Sequence, residues 1–501
     1  MPGAPLERAI IDELDRDLHS SRDSSATVRS PFSGEVLHEL PMSTVTDVQD
    51  AVARAQVAQL TWQERGWAHR RRILLRAHDL LLERRELLLD AVQTETGKTR
   101  GQAFEEVFMG AGVTRYYALS ARSTLRTRRR RAGIPLVLLT RVEYRPKGVV
   151  GVITPWNYPL SLSLMDVVPA LAAGNAVVQK ADNQGALSIL AARRAFIDAG
   201  LPAELWPVVA GDGAEIGGAV IDACNYVCFT GSTATGRVVG VQAATNLIGA
   251  SLELGGKNPL IVLDDVNAKK AAASAVYACF ASLGQLCVSI ERLYVHQAVA
   301  EEFTREFVAR TQSLVQSAAF DYSSDVGSLT LPSQLERVKA HVDDAVAKGA
   351  TILTGGRARP DLGPLFYEPT VLSNVTDDMA CVIGETFGPV VSITVVDSED
   401  EAIIAANDSP YGLNASIFTG SLRRGRELAS AIDAGSVNIN EGYRASFSSV
   451  DAPMGGMKHS GLGRRNGRVG LLRFVEARTV AESTGLLTLP RTGAEFARMT
   501  G

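Results

Sequence analysis

The feature that most restricts the fold is a series of short apolar segments after Gly151, punctuated by glycine and separated by helix-length stretches. They read GVIT (151–154), AVVQK (176–180), WPVVAG (206–211), YVCFTG (226–231), SLELGG (251–256) and PLIVL (259–263). Strands that alternate with helices in this way predict a parallel sheet covered by helices. Between Leu254 and Leu263 the chain passes into a second α/β block. There a helical stretch is expected over 268–283, a strand at ERLYVH (291–296), a helix closed by Gly349, and strands at VVSITVV (390–396) and SVNIN (436–440). Upstream, Asp47 to Lys98 repeats apolar residues at the helical period, with Ile73, Ala77, Leu80, Leu81 and Leu88 on one stripe. No segment is of low complexity, and no period of 20–50 residues repeats. A chain of 501 residues with 46% apolar content has room for two or three domains, so disordered and fibrous readings are excluded.

A formal net charge of −4 supplies no global field to draw in nucleic acid or an anionic membrane, so the expected partner is a small molecule. Arg126 and Arg128 to Arg131 form a local basic run, read as a solvated or subunit-facing stretch. Five scattered cysteines, at 224, 228, 279, 287 and 381, have neither disulfide-framework nor metal-site spacing and fit a reducing compartment. The N-terminus lacks a basic region followed by an apolar one, and no apolar run reaches the ~18 residues of a membrane span; a cytoplasmic protein with no bound metal is expected.

Three motifs could carry chemistry. Cys287 closes GQLC between a predicted helix and a strand, where a thiol can project into a cleft. Glu253 stands between Leu252 and Leu254 ahead of paired glycines; a carboxylate there is buried, and burial suits it to general-base work near neutral pH. Asn157 is bracketed by Pro155 and Pro159, a rigid setting in which an amide N–H can meet a developing oxyanion. Each has a plainer reading alone: an inert thiol, a Glu that pairs with a helix end, a turn Asn. For a cofactor, FTGSTATG (229–236) follows a strand and opens a helix whose N-terminus can hold a pyrophosphate, although it is not the G-x-G-x-x-G pattern. Lys180 ends its strand at the sheet edge where ligands bind.

From about residue 28 to 485 the chain resembles the aldehyde dehydrogenase superfamily. The matching motifs run in family order: PWN (155–157), GNAVVQK (174–180), FTGSTATG, LELGGKNP (252–259), GQLC (284–287), ETFGPV (385–390), YGLNASIFT (411–419) and PMGGMKHSGLGR (453–464). Within it the chain is most similar to the actinobacterial succinate-semialdehyde dehydrogenases of the second type. The resemblance implies the α/β aldehyde dehydrogenase fold: a Rossmann-like cofactor domain (1–125 and 148–252), an α/β catalytic domain (253–455), and a small β bridging extension (126–147 and 475–501) that joins subunits into a homodimer or homotetramer. It also implies roles: Cys287 as nucleophile, Asn157 with the Cys287 backbone N–H as oxyanion donors, and Glu253 as the base that hydrolyses a thioester. Members that pass the acyl group to coenzyme A typically lack that glutamate. Thr154, Trp156, Lys180, Asp182, Asn183, Gly211, Gly231, Ser232, Leu254, Glu385 and Phe387 are the implied contacts of NAD or NADP.

The third residue after Lys180 is often Glu in NAD-preferring relatives, where it repels a 2′-phosphate. Here it is Asn183, which favours NADP while admitting NAD, although the preceding Asp182 could oppose the phosphate. Succinate-semialdehyde enzymes of the family clamp the distal carboxylate with arginines at positions filled here by Met165 and Ala281. Arg444, in the loop 442–448 with Tyr443 and Phe447, is the candidate substitute. If it does not reach the tunnel, Met165, Tyr443 and Phe447 favour a medium-chain or aromatic aldehyde instead. Arg465 replaces a glutamate common in relatives, and the sequence assigns it no catalytic consequence.

Overall fold

The computed structural model describes residues 3–487 and 489–500. The alternation after Gly151 forms a six-stranded sheet in the order 461–462, 249–253, 226–230, 149–153, 176–180, 208–209. All neighbours are parallel except Gly461–Leu462, which runs antiparallel to Gly249–Glu253. The chain starts at Val149–Ile153 and adds strands to one side, then crosses back to place Tyr226–Thr230 on the other. Such a reversal opens a crevice at the carboxyl ends of the two strands that flank it. Thr154 to Asn157 leave one of those ends, and Gly231 and Ser232 leave the other.

The second block is a seven-stranded sheet in the order 351–354, 370–373, 390–396, 290–296, 258–262, 414–418, 436–439, parallel except for its first pair. The two sheets are joined through Leu254–Lys257, so Glu253 is the last residue of one and Asn258 the first of the other. A third sheet pairs Val475–Ser483 with Leu138–Pro146 and carries Arg128–Arg130 on its edge; Arg129 and Arg130 are exposed.

The helix Pro159–Ala173 is buried along its whole length, as a segment apolar on every side must be. Proline at its first position costs no hydrogen bond, and Gly174 closes it at φ +96°. The helical region 47–98 consists of three helices, Val45–Glu64, Gly66–Glu83 and Arg85–Thr96. The helix expected over 268–283 ends at Phe280. Ser282 and Leu283 then take left-handed φ values of 49° and 55°, a conformation that costs side-chain-bearing residues free energy and redirects the chain toward Cys287. Gly284 follows at φ +72°, where a Cβ would lie 2.2 Å from the Gly388 carbonyl oxygen. Among the described residues no helix is long and apolar enough to cross a membrane.

Candidate active site

A cavity of about 190 Å³ sits where the switch point of the first sheet meets the loops of the second. Its wall includes Trp156, Asn157, Gly231, Ser232, Glu253, Leu254, Cys287, Glu385 and Phe387, so nine of the residues singled out from sequence converge on it. Larger hollows beside Arg310 and Arg193 hold none of those nine residues.

Cys287 lies in the loop between the left-handed turn and the strand Ile290–His296. Burial, together with the nearby Glu385 and Glu253 carboxylates, pushes its thiol up to about 12. A thiol so placed rests protonated and needs a base or a bound cation to become a nucleophile. Asn157 Nδ2 donates to the Gln285 carbonyl at 3.0 Å, which fixes the amide beside the cysteine loop. Glu253 is 4% exposed, and burial pushes it up to about 7, with Arg465 and Arg473 acting in the opposite direction. A carboxyl that titrates near neutrality can take a proton from water and release it again.

The remaining implied cofactor contacts fall in two places. Ser232 caps the helix Thr233–Thr245 by accepting from the Thr235 N–H, and that helix N-terminus opens on the cavity. Farther along the sheet edge, Thr154 N–H donates to the Lys180 carbonyl at 3.1 Å, Asp182 caps the turn at Asn183–Gly185, and Asn183 Oδ1 accepts from the Gly211 N–H at 3.1 Å. Lys180 is buried and enters none of the ion pairs among the described residues, which leaves its ammonium available to hydroxyl groups. A helix N-terminus for phosphates and a lysine beyond it fit a dinucleotide. Glu385 accepts from the Gly256 N–H at 2.9 Å and is pushed up to about 8 by burial and by Glu291.

Of the substrate candidates, Phe447 is buried against Tyr158 and Tyr443, with ring centroids 6.2 Å from each. Met165 is fully buried in its helix and Arg444 is outside the cavity wall. The Arg444 guanidinium pairs with Glu441 at 3.0 Å and lies 4.3 Å over the Tyr277 ring.

Several supporting residues carried no sequence signal because their partners are remote. Asn258, inside a quoted motif yet given no role, donates to the carbonyls of Cys287 and Ser289 at 2.8 and 2.7 Å. Glu291 accepts from the Thr386 and Phe387 N–H groups and pairs with Lys257, which fixes the loop bearing Glu385. Lys98 donates to the Asn157 carbonyl and to Glu106, each at 2.6 Å. Glu106 in turn accepts from the Leu160 and Ser161 N–H groups at 3.0 Å, capping the helix after Asn157. Thr230, Gln334 and Arg337 also line the cavity.

Residues 18–480 match the model of the aldehyde dehydrogenase family. The chain belongs to the aldehyde dehydrogenase family. A protein of Mycolicibacterium smegmatis, provisionally named succinate-semialdehyde dehydrogenase [NADP(+)], is 48% identical over 97% of this chain and 93% of its own. Among solved structures, an NADP-dependent enzyme of E. coli superposes with a TM-score of 0.89 at 30% identity, covering 93% of this chain and 96% of that one. Betaine aldehyde dehydrogenase of Staphylococcus aureus in complex with NAD+ gives 0.89 at 29% identity over 94% of each chain. This aldehyde dehydrogenase therefore has the expected α/β fold, and the motifs in family order were sufficient to name it.

Proposed function

We propose that this enzyme oxidises an aldehyde to the free carboxylic acid through a thioester on Cys287, with NADP preferred and NAD accepted. The observation that carries the proposal is the convergence of Cys287, Asn157 and Glu253 on one cavity that opens to a helix N-terminus. In this reading the Cys287 thiol gives up its proton to solvent and Sγ bonds the carbonyl carbon, leaving an oxyanion that Asn157 Nδ2 and the Cys287 N–H stabilise. The bound dinucleotide supplies a two-electron acceptor for hydride. Loss of hydride from carbon leaves the thioester. Glu253 then takes a proton from water, the hydroxyl bonds the acyl carbon, and the C–S bond breaks as the proton held by Glu253 passes to the sulfur, restoring both residues and releasing the acid. Retention of Glu253 supports release to water rather than to coenzyme A.

Lys180, Asp182, Asn183 and Gly211 would hold the adenosine side, and the neutral Asn183 supports NADP. Gly231 and Ser232 would hold the pyrophosphate, and Glu385 and Phe387 the nicotinamide side. The division into a cofactor domain, a catalytic domain and a bridging extension, and the homo-oligomer that goes with it, is supported by the three larger sheets and by the pairing of 475–483 with 138–146.

For the substrate, the name of the mycobacterial relative supports succinic semialdehyde, with Arg444 as carboxylate partner once released from Glu441. A second reading, a medium-chain or aromatic aldehyde, is favoured by the shell of Tyr158, Tyr443 and Phe447 and by the hold of Glu441 on Arg444. A steady-state panel of succinic semialdehyde, hexanal and benzaldehyde with each dinucleotide, repeated on Arg444→Ala, decides between them. Succinic semialdehyde should lead in kcat/KM and lose that lead in Arg444→Ala. An unchanged ranking removes Arg444, and a lead for hexanal or benzaldehyde selects the second reading. Aldehyde oxidation that survives Cys287→Ala overturns the mechanism.

A further inference from the structure

A group of charges lies behind Glu253 that the chemistry above leaves unused. Asp166 occupies the helix Pro159–Ala173, which is buried along its whole length, and a lone carboxylate there would carry a desolvation cost of several kcal/mol. Two arginines meet it from the C-terminal part of the chain. Arg465 places Nε 3.0 Å from Oδ1 and Nη2 2.5 Å from Oδ2, and Arg473 places Nη2 2.5 Å from Oδ1. The side chains of Arg465, Arg473 and Asp166 are 1%, 8% and 2% exposed.

One arginine would neutralise Asp166. The second leaves the group with a surplus positive charge in a region of low dielectric, a costly arrangement unless another anion is close. Arg473 Nε donates to the Gly470 carbonyl at 3.2 Å, and the two hydrogen bonds that remain lead to the strands around Glu253. Arg465 Nη2 also donates to Thr230 Oγ1, and Thr230 is the register partner of Glu253 in the neighbouring strand. Arg473 Nη1 donates at 2.8 Å to Ser251 Oγ, two residues before Glu253 on its own strand. Glu253 Oε1 is buried and takes no hydrogen bond from the described residues. The charged and titratable groups that face Glu253 are Arg464, Arg465, Arg473, Asp166 and Cys287.

We propose that Arg465, with Arg473 and Asp166, is the counter-charge of Glu253: a positioning residue that eases ionisation of the buried base while its unpaired oxygen remains free to take a proton from water. The proposal rests on the assignment of Glu253 as the deacylating base. A purely structural role, tying the C-terminal segment to the helix, would need only the Asp166 contacts and would leave the titration of Glu253 where it is.

The test uses the full-length enzyme with hexanal and NADP in stopped flow, separating the burst of reduced dinucleotide from the slower hydrolysis of the acyl-enzyme between about pH 6 and 9. In Arg465→Met the midpoint of the hydrolysis limb should move up by about one pH unit, slowing hydrolysis at neutral pH by up to tenfold while the burst amplitude persists. Arg465→Lys should recover most of the shift. Unfolding midpoint and NADP binding report whether each variant is folded, and Arg473→Met is read in the same way if Arg465→Met is not. A folded Arg465→Met with a hydrolysis limb superposing on the parent's overturns the proposal. Glu253→Gln separates the two levels: if it hydrolyses its acyl-enzyme at the parental rate, the base assignment itself fails, whereas loss of hydrolysis there beside an unmoved Arg465→Met limb removes only the counter-charge.

Discussion

Asn258 holds Cys287 by its carbonyl: the Asn258 side-chain amide donates to that oxygen at 2.8 Å and to the Ser289 carbonyl at 2.7 Å, while its own oxygen accepts from the Asn414 N–H at 3.0 Å. One side chain therefore ties the Cys287 loop to the strand Asn414–Phe418 inside the second sheet. Asn258→Ala removes all three bonds and leaves buried backbone groups unpaired, at about 1–3 kcal/mol for each group. The expected result is a lower unfolding midpoint and a hydride burst slowed by about 10²-fold, because small displacements of a reacting group are costly. Guanidinium titrations and single-turnover kinetics check the two outcomes separately. A burst at the parental rate would show that the loop keeps its geometry without Asn258.

The pair of Lys98 and Glu106 holds the Asn157 segment in a comparable way. Both side chains are sealed, at 3% and 0% exposure, and the lysine also bonds the Asn157 carbonyl. Breaking a buried pair by removing one partner is far more harmful than its net worth, since the other charge stays behind. Lys98→Met should cost about 3–5 kcal/mol in chemical denaturation. The double variant Lys98→Met with Glu106→Gln should recover part of that loss, and no recovery would mean the ion pair is not the origin of the cost.

These supporting residues mark the limit of what the chain discloses before it is folded. Cys287, Glu253 and Asn157 stood out because each breaks a local rule: a thiol at an element boundary, a carboxylate among leucines, an asparagine between prolines. The parallel sheets were legible for the same local reason. Lys98 and Glu106 break none, and their bonds to Asn157 and to Leu160 and Ser161 span 54 to 59 residues. Arg465 and Asp166 are 299 residues apart, so one read as an unexplained replacement and the other drew no notice. The end of the helix at Phe280, short of the expected 283, was missed because the apolar run continues past it while the backbone does not.

The adenosine end makes a prediction about cofactor choice. Asn183 Oδ1 is turned inward to the Gly211 N–H, and this neutral residue brings no negative charge to the ribose site proposed above. Asn183→Glu places a carboxylate there, which should repel a 2′-phosphate and accept a 2′-hydroxyl. The ratio of kcat/KM for NADP over NAD should fall by about 10²-fold, mostly through KM for NADP, corresponding to about 3 kcal/mol. Initial-rate measurements with both dinucleotides test it, and an unaltered ratio would move the selectivity to another residue.

Burial of Glu253 also links its chemistry to stability. Its folded value of about 7 lies above the ordinary 4.5, so between those values the native state binds the proton and the unfolded chain does not. The linkage sign follows: the contribution of the protonated carboxyl is complete below about pH 4.5 and is lost as pH rises through about 7, where the buried group must ionise. The loss is on the order of 3 kcal/mol for a shift of this size. Glu253→Gln keeps the shape of the neutral acid and never ionises. It should therefore match the parent in unfolding free energy near pH 4.5 and exceed it by up to about 3 kcal/mol at pH 8, even as hydrolysis of the acyl-enzyme stops. Paired urea titrations at the two pH values measure the difference directly. A gain of equal size at both would mean that the stability change comes from packing or hydrogen bonding and not from the proton, and would remove the titration of Glu253 as the link between stability and deacylation.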